Sequence, residues 1–135
     1  MIVEILSLEM GMNAEDLKKR TKKYGLDIIK LIECLPGNAI GRTIGNQLLR
    51  SGTSVGANYR AACRGKSKAD FIAKTGIALE EADESLYWLE LLQEAAIVPS
   101  EKLTNLMKEG SELVAIFTAS IKTSRSNLKS RGLNG

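Results

Sequence analysis

The chain has 135 residues, 44% of them apolar and 26% charged, and a net charge of +3. That length supports one domain with a real core. With no histidine and two isolated cysteines, the composition excludes histidine-based triads and zinc sites with histidine ligands, and only 4% aromatics argue against a surface that holds nucleic acid mainly by base stacking.

Residues 1–12, MIVEILSLEMGM, are apolar, but they carry Glu4 and Glu9 where a signal peptide carries basic residues. No apolar run approaches the roughly 20 residues of a membrane span. A cytoplasmic location is therefore expected, with residues 1–12 as an N-terminal extension, either disordered or docked on a neighbour. A bundle over 13–127 and a basic tail over 128–135 complete the expected organisation.

Asn13 can cap a first helix, with Glu15 and Asp16 in its first turn. Ala14, Leu17, Thr21, Tyr24, Ile28, Leu31 and Leu35 follow at heptad spacing, and Pro36-Gly37 ends the pattern. A second helix is expected over about 39–64, with Ile40, Ile44, Leu48, Ser51, Val55, Tyr59 and Ala62 inward. Gly41, Gly45, Gly52 and Gly56 weaken it intrinsically, so it needs tertiary support, and a break near Ser51–Ser54 is its chief risk. Ser67 and Asp70 form a capping-box pattern for a third helix reaching about Val98. Its inward residues are Phe71, Ala78, Ala82, Leu86, Leu89, Leu92 and Ala96. Ser100 caps a fourth helix with Leu103, Leu106, Met107, Leu113, Val114, Phe117 and Ile121 inward, and its serine-rich end is expected to fray. Four amphipathic helices with short connections predict an all-α, up-down-up-down antiparallel four-helix bundle.

Charge is distributed in blocks. Residues 34–69 contain no acid, whereas 70–94 are strongly acidic. In an antiparallel pair the facing residue numbers sum to about 132, which sets Arg50 beside Glu81 and Glu84, and Arg42 beside Glu90. Gln47, Arg50, Ser54 and Asn58 share one helix face bordering the apolar stripe. With Glu81 and Glu84 they read first as a structural polar network, and second as ligand contacts through Arg50 and Asn58. Lys18, Lys19, Arg20, Lys22 and Lys23 cover the outer half of the first helix. Arg60, Arg64, Lys66 and Lys68 crowd the turn between the second and third. A solvated face is the plain account of one such run, and two runs together point to an anionic partner. Glu80, Glu81, Asp83 and Glu84 lack the histidines of a carboxylate-bridged metal site, so neither metal nor cofactor is expected. Tyr87 and Trp88 are adjacent and cannot share a face, so one ring is left for solvent or another chain. Cys34 and Cys63 lie in apolar stretches and are expected to be buried, reduced thiols.

The run over 47–95 resembles the bacterial four-helix-bundle proteins of 23S ribosomal RNA intervening sequences. Gln47, Arg50, Ser54, Asn58, Phe71, Glu81 and Trp88 carry the resemblance. It extends in helix order over roughly 14–122. Cys63 departs from the pattern, which commonly has a glutamate there. The resemblance implies closed rings, commonly pentamers. It also implies kinship with the accessory variability protein of diversity-generating retroelements, which binds RNA and a reverse transcriptase. The function expected is thus a non-enzymatic homo-oligomer, a pentamer by resemblance, that binds RNA or an RNA–protein complex, a reverse transcriptase among the candidates, through its basic surface. The alternative is a protein-interaction scaffold that does not touch nucleic acid. No nucleophile, base and oxyanion donor can be assembled by spacing, so catalysis is not expected.

Overall fold

Four helices account for almost all of residues 13–130, the part of the chain that the computed structural model describes: α1 (Ala14–Ile32), α2 (Ala39–Cys63), α3 (Lys68–Glu94) and α4 (Ser100–Ser130). The expected extension at 1–12 and the last five residues of the expected tail lie outside the described residues. Each helix packs antiparallel against the next, and α4 returns to α1. The result is an all-α four-helix bundle.

Local chemistry sets the helix starts. The Asn13 side chain accepts from the Asp16 amide, and Asp16 accepts from the Asn13 amide, a complete capping box. Asn38 caps α2 by accepting from the Gly41 amide at 2.9 Å. Ser67 caps α3 by accepting from Asp70 at 3.0 Å, while the Asp70 carboxylate takes the Lys66 amide instead of closing a reciprocal box. Lys74 also donates to Asp70, and it holds that carboxyl below its usual range.

Three helix ends differ from the sequence pattern. The first helix stops at Ile32, ahead of Pro36, because the Cys34 and Leu35 amides close tight turns onto Leu31 and Ile32. Cys34 therefore falls in a turn and is exposed, not buried, while Cys63 is half-buried. The third helix stops at Glu94, where Ala96 enters the left-handed region at φ 54°. The Ala96 and Ile97 amides then close onto Gln93 and Leu92, a Schellman arrangement that turns Ala96 outward. The fourth helix counts Ser100 as its first residue and continues to Ser130. Buried Ser120 and Ser124 sit on its inner face, and the Ser124 hydroxyl is satisfied by the Ser120 carbonyl. The second helix runs unbroken through Ser51–Ser54.

The core combines Leu17, Tyr24 and Ile28 of α1 with Leu48, Val55 and Tyr59 of α2, Leu89 and Leu92 of α3, and Leu113 and Phe117 of α4. Ile116 belongs to it as well, although the sequence stripe omitted it. Ile40 does not, being 55% exposed at the start of α2. Tyr59 and Phe117 pack their rings 5.7 Å apart. The Tyr24 hydroxyl crosses the bundle to Ser85 at 2.7 Å, and burial pushes its pKa up to about 12. Among the described residues, the buried hydroxyls of Tyr59 and Thr75 have no hydrogen-bond partner.

Glycines permit the close approaches. A Cβ on Gly52 would stand 2.9 Å from Ile28, and one on Gly110 would stand 2.8 Å from Leu86 and 2.9 Å from the Tyr24 hydroxyl. At Gly41 the obstacle is backbone, since a Cβ would overlap the Pro36 carbonyl oxygen. Gly76 faces open space. Gly41→Ala is therefore expected to destabilise the chain by about 2–4 kcal/mol, because the α1–α2 turn must move. Gly76→Ala is expected to stabilise by about 0.5–1 kcal/mol through helix propensity. Urea denaturation of the two variants checks both signs.

Candidate nucleic-acid interface

The two polar constellations separate cleanly in space. On the α2–α3 face, Arg50 donates to Glu81 at 3.1 Å and also to Glu84, with Gln47 accepting at 3.3 Å. Trp88 Nε1 donates to the same Glu84 at 3.1 Å. This is the cross-helix pairing that the antiparallel register dictates. Ser54 and Asn58 do not join it: Ser54 donates to the Arg50 carbonyl and Asn58 to the Ser54 carbonyl, both along their own helix. Arg42 does not reach Glu90 and instead caps the preceding turn through the Gly37 carbonyl at 3.1 Å. The network is only half-sunk, with the Arg50 side chain 50% exposed. Tyr87 stands beside it, exposed, with its ring edge-on to half-buried Trp88 at 5.1 Å.

The basic run of α1 is not one uniform surface. Arg20 turns inward to α4, where it meets Glu109 at 2.6 Å and Glu112 at 2.5 Å. These hydrogen bonds, Glu109 foremost, lock its guanidinium in the charged form. Arg20 is thus a clamp between α1 and α4, and not a solvent-facing phosphate contact. Lys23 pairs with Asp27 at 2.7 Å, and Lys18 pairs with Glu15 at 2.6 Å. Among the described residues, Lys19, Lys22, Arg60, Arg64, Lys66 and Lys68 form no ion pair.

Lys18, Lys19 and Lys22 meet Arg60 across a groove of about 410 Å³ between α1 and α2. Gly25 and Gly56 let the helices close up beneath it, and Glu15, Thr21, Leu26, Ile29, Thr53 and Ala57 complete the walls. Arg64, Lys66 and Lys68 do not line the groove, but they lie at the same end of the bundle, where α2 passes into α3. The antiparallel path brings the last turns of α4 to this end too, with Lys122, Arg125 and Lys129. Lys122 and Arg125 lie far from the other cations in sequence, and only the up-down topology places them with the others. Within segments 13–23, 57–76 and 117–130, thirteen basic residues stand against three acidic ones. In the rest of 13–130 five basic residues stand against eleven acidic ones. A chain of small net charge is therefore a strongly dipolar bundle, and such a basic end attracts polyanions. Among the described residues no group of side chains fits a metal ion, and no helix is long and apolar enough to cross a membrane.

The fold and its segregated charge define a bundle with one basic end. Residues 15–119 match the family of 23S rRNA-intervening sequence proteins, and the chain belongs to that family. It is also similar to a crystal structure from Bacteroides thetaiotaomicron, a protein of unknown function from the S23 ribosomal protein family. The two share 35% identity at a TM-score of 0.76, over 82% of this chain and 99% of that one. No match to a curated protein was found.

The two arginine clamps should differ energetically. Arg20 and Glu109 are each less than one-third exposed, so Arg20→Ala is expected to cost about 1–2 kcal/mol, between the limits for exposed and buried pairs. Arg50→Ala in the isolated subunit is expected to cost about 1 kcal/mol or less, since its guanidinium is half in water. Chemical denaturation of both variants under conditions that keep the chain monomeric tests this order.

Proposed function

We propose that this protein is a non-enzymatic, oligomeric bundle in the cytoplasm that binds RNA, or an RNA–protein complex, through its basic end. The observation that carries the reading is the meeting of Lys19 and Lys22 with Arg60 in one groove, with no carboxylate pairing them among the described residues. Lysine and arginine clusters of this kind hold phosphates without base selection. The bundle exposes no series of aromatic rings for stacking, so the expected binding is electrostatic. A reverse transcriptase is the protein component that the family resemblance suggests for such a complex.

Copies associate side by side, in this reading, into a closed ring, and five is the number the resemblance implies. Exposed Ile77 and Tyr87, and the half-exposed Arg50 network, offer a face for that contact. A ring of parallel subunits repeats the basic end on one side and multiplies its field.

Lys19→Gln, Lys22→Gln and Arg60→Gln combined are expected to weaken filter binding of a structured RNA about tenfold or more and to flatten its salt slope. Lys102→Gln with Lys108→Gln, on the acidic half, should leave binding unchanged. Unchanged RNA affinity in the triple variant, with helicity and oligomer intact, would instead favour a scaffold that meets only proteins. Sedimentation equilibrium tests the ring: a monomer at micromolar concentration rules out assembly, and another closed number revises only the stoichiometry.

A further inference from the structure

Phosphate binding uses only part of the α1–α2 groove. Lys18, Lys19, Lys22 and Arg60 lie toward one end, and Glu15, the one acid among its described lining residues, is held by Lys18. Toward the other end, Leu26 is 52% exposed and Ile29 is 41% exposed, and both stand in the wall beside Gly25 and Ala57. A Cβ at Gly25 would make only ordinary contacts, the nearest 3.7 Å from Thr53. The groove floor is thus left bare there at a cost in helix propensity that close packing does not demand. Two large aliphatic side chains in water beside a free phosphate site suit an occupant that is anionic at one end and apolar at the other.

Lysine and arginine clusters hold duplex and single strand alike, so the apolar half of the groove decides between them. A continuous A-form duplex hides its base faces in the stack and presents phosphates, sugars and polar base edges. It would leave Leu26 and Ile29 uncovered. Nucleotides in loops and bulges can be splayed out, each with an apolar base face joined to its own phosphate. We propose that the groove receives an unpaired nucleotide, with the neighbouring phosphates on Lys19, Lys22 and Arg60 and the base against Leu26 and Ile29. The RNA selected at the basic end is then one with single-stranded or bulged segments. This inference rests on the reading of the basic end as an RNA-binding surface.

Size and spacing both fit. The groove's volume of about 410 Å³ lies within the range of about 300–1,000 Å³ for clefts that take a single small ligand. Lys22, Leu26 and Ile29 follow at steps of four and three on α1 and so share a face. Leu26 and Ile29 lie about 6 and 10 Å beyond Lys22 along the helix axis. From α2, Thr53 stands beside Gly25, and Arg60 lies two turns further on, toward the lysines. The Thr53 hydroxyl already donates to the Leu49 carbonyl at 2.6 Å, and the Thr21 hydroxyl donates to the Lys18 carbonyl at 3.0 Å. No asparagine or glutamine is among the described lining residues, so base identity should matter little. Covering the two aliphatic side chains with a base face supplies the preference for unpaired RNA.

Blunt RNA duplexes of one length test this on the full chain: one fully paired, one with unpaired adenosines in one strand, and one with abasic ribonucleotides in their place. The two bulged duplexes carry the same charge and differ only in the bases. In fluorescence anisotropy at one fixed salt concentration, the adenosine bulge should bind about tenfold tighter than either of the others. Leu26→Ser with Ile29→Ser should erase that preference, lowering affinity for the adenosine bulge to that for its abasic counterpart, and circular dichroism of this variant should show the bundle helices intact. Lys19→Gln, Lys22→Gln and Arg60→Gln combined should weaken binding of all the duplexes. Equal affinity of the unaltered chain for the adenosine and abasic bulges overturns the proposal and leaves the RNA-binding reading standing. An undiminished preference in the Leu26 and Ile29 variant also overturns it. So does loss of the native oligomer by that variant in sedimentation, since a second copy is then the occupant of the wall. Failure to bind any of the duplexes removes the RNA-binding reading, and this inference with it.

Discussion

Close approach of helix backbones is the constraint on which the rest of this bundle depends. Helices α1 and α2 meet through Gly25, Gly52 and Gly56, and α4 meets α3 and α1 through Gly110. None of these residues favours a helix by itself. Gly52, Gly56 and Gly110 each remove a side chain where Ile28, Thr21, or Leu86 and Tyr24 must fit, so tertiary packing outweighs the local propensity cost. The same economy appears in Ser51, Ser85 and Ser124, which are small, buried and bonded to carbonyls of their own helices. Local propensity and packing thus conflict in the second helix, and packing decides.

Register follows from that packing, and the electrostatics follow from the register. Once α2 runs antiparallel to α3, Arg50 lies on Glu81 and Glu84. Once α4 returns beside α1, Arg20 lies between Glu109 and Glu112. Glu81, Glu84, Glu109 and Glu112 are thereby engaged on the lateral faces. The unpaired cations collect where α1 begins, α2 passes into α3 and α4 ends. A charge imbalance small for the chain as a whole becomes large at one end. This segregation, more than the net charge, is the physical basis for proposing an anionic partner.

Fold class, helix number and the Arg50 pairing were all legible in the sequence, because amphipathic period and capping chemistry are local and an antiparallel hairpin has simple residue arithmetic. Helix ends were less legible. Apolar spacing continued through Leu35 and Ala96, whereas the chain turned earlier, under hydrogen bonds that no periodicity encodes. Arg42 illustrates the same limit: its register position faced an acid, but a nearer backbone carbonyl satisfied it first.

The candidate site was legible only in part. Residue type alone marked Lys18 to Lys23 as one basic run, because a sequence shows charge without showing direction. Two of its lysines pair within α1 itself, Lys18 with Glu15 and Lys23 with Asp27, whereas tertiary structure drew Arg20 into α4 and left Lys19 and Lys22 to meet Arg60 from another helix. Sequence by itself determined that four helices form and which faces they bury, since those depend on spacing along one element. Only the tertiary structure decided which charges remain free and that Lys122 and Arg125 join the basic end. Pairing depends on distance between helices, and that distance exists only after they have packed.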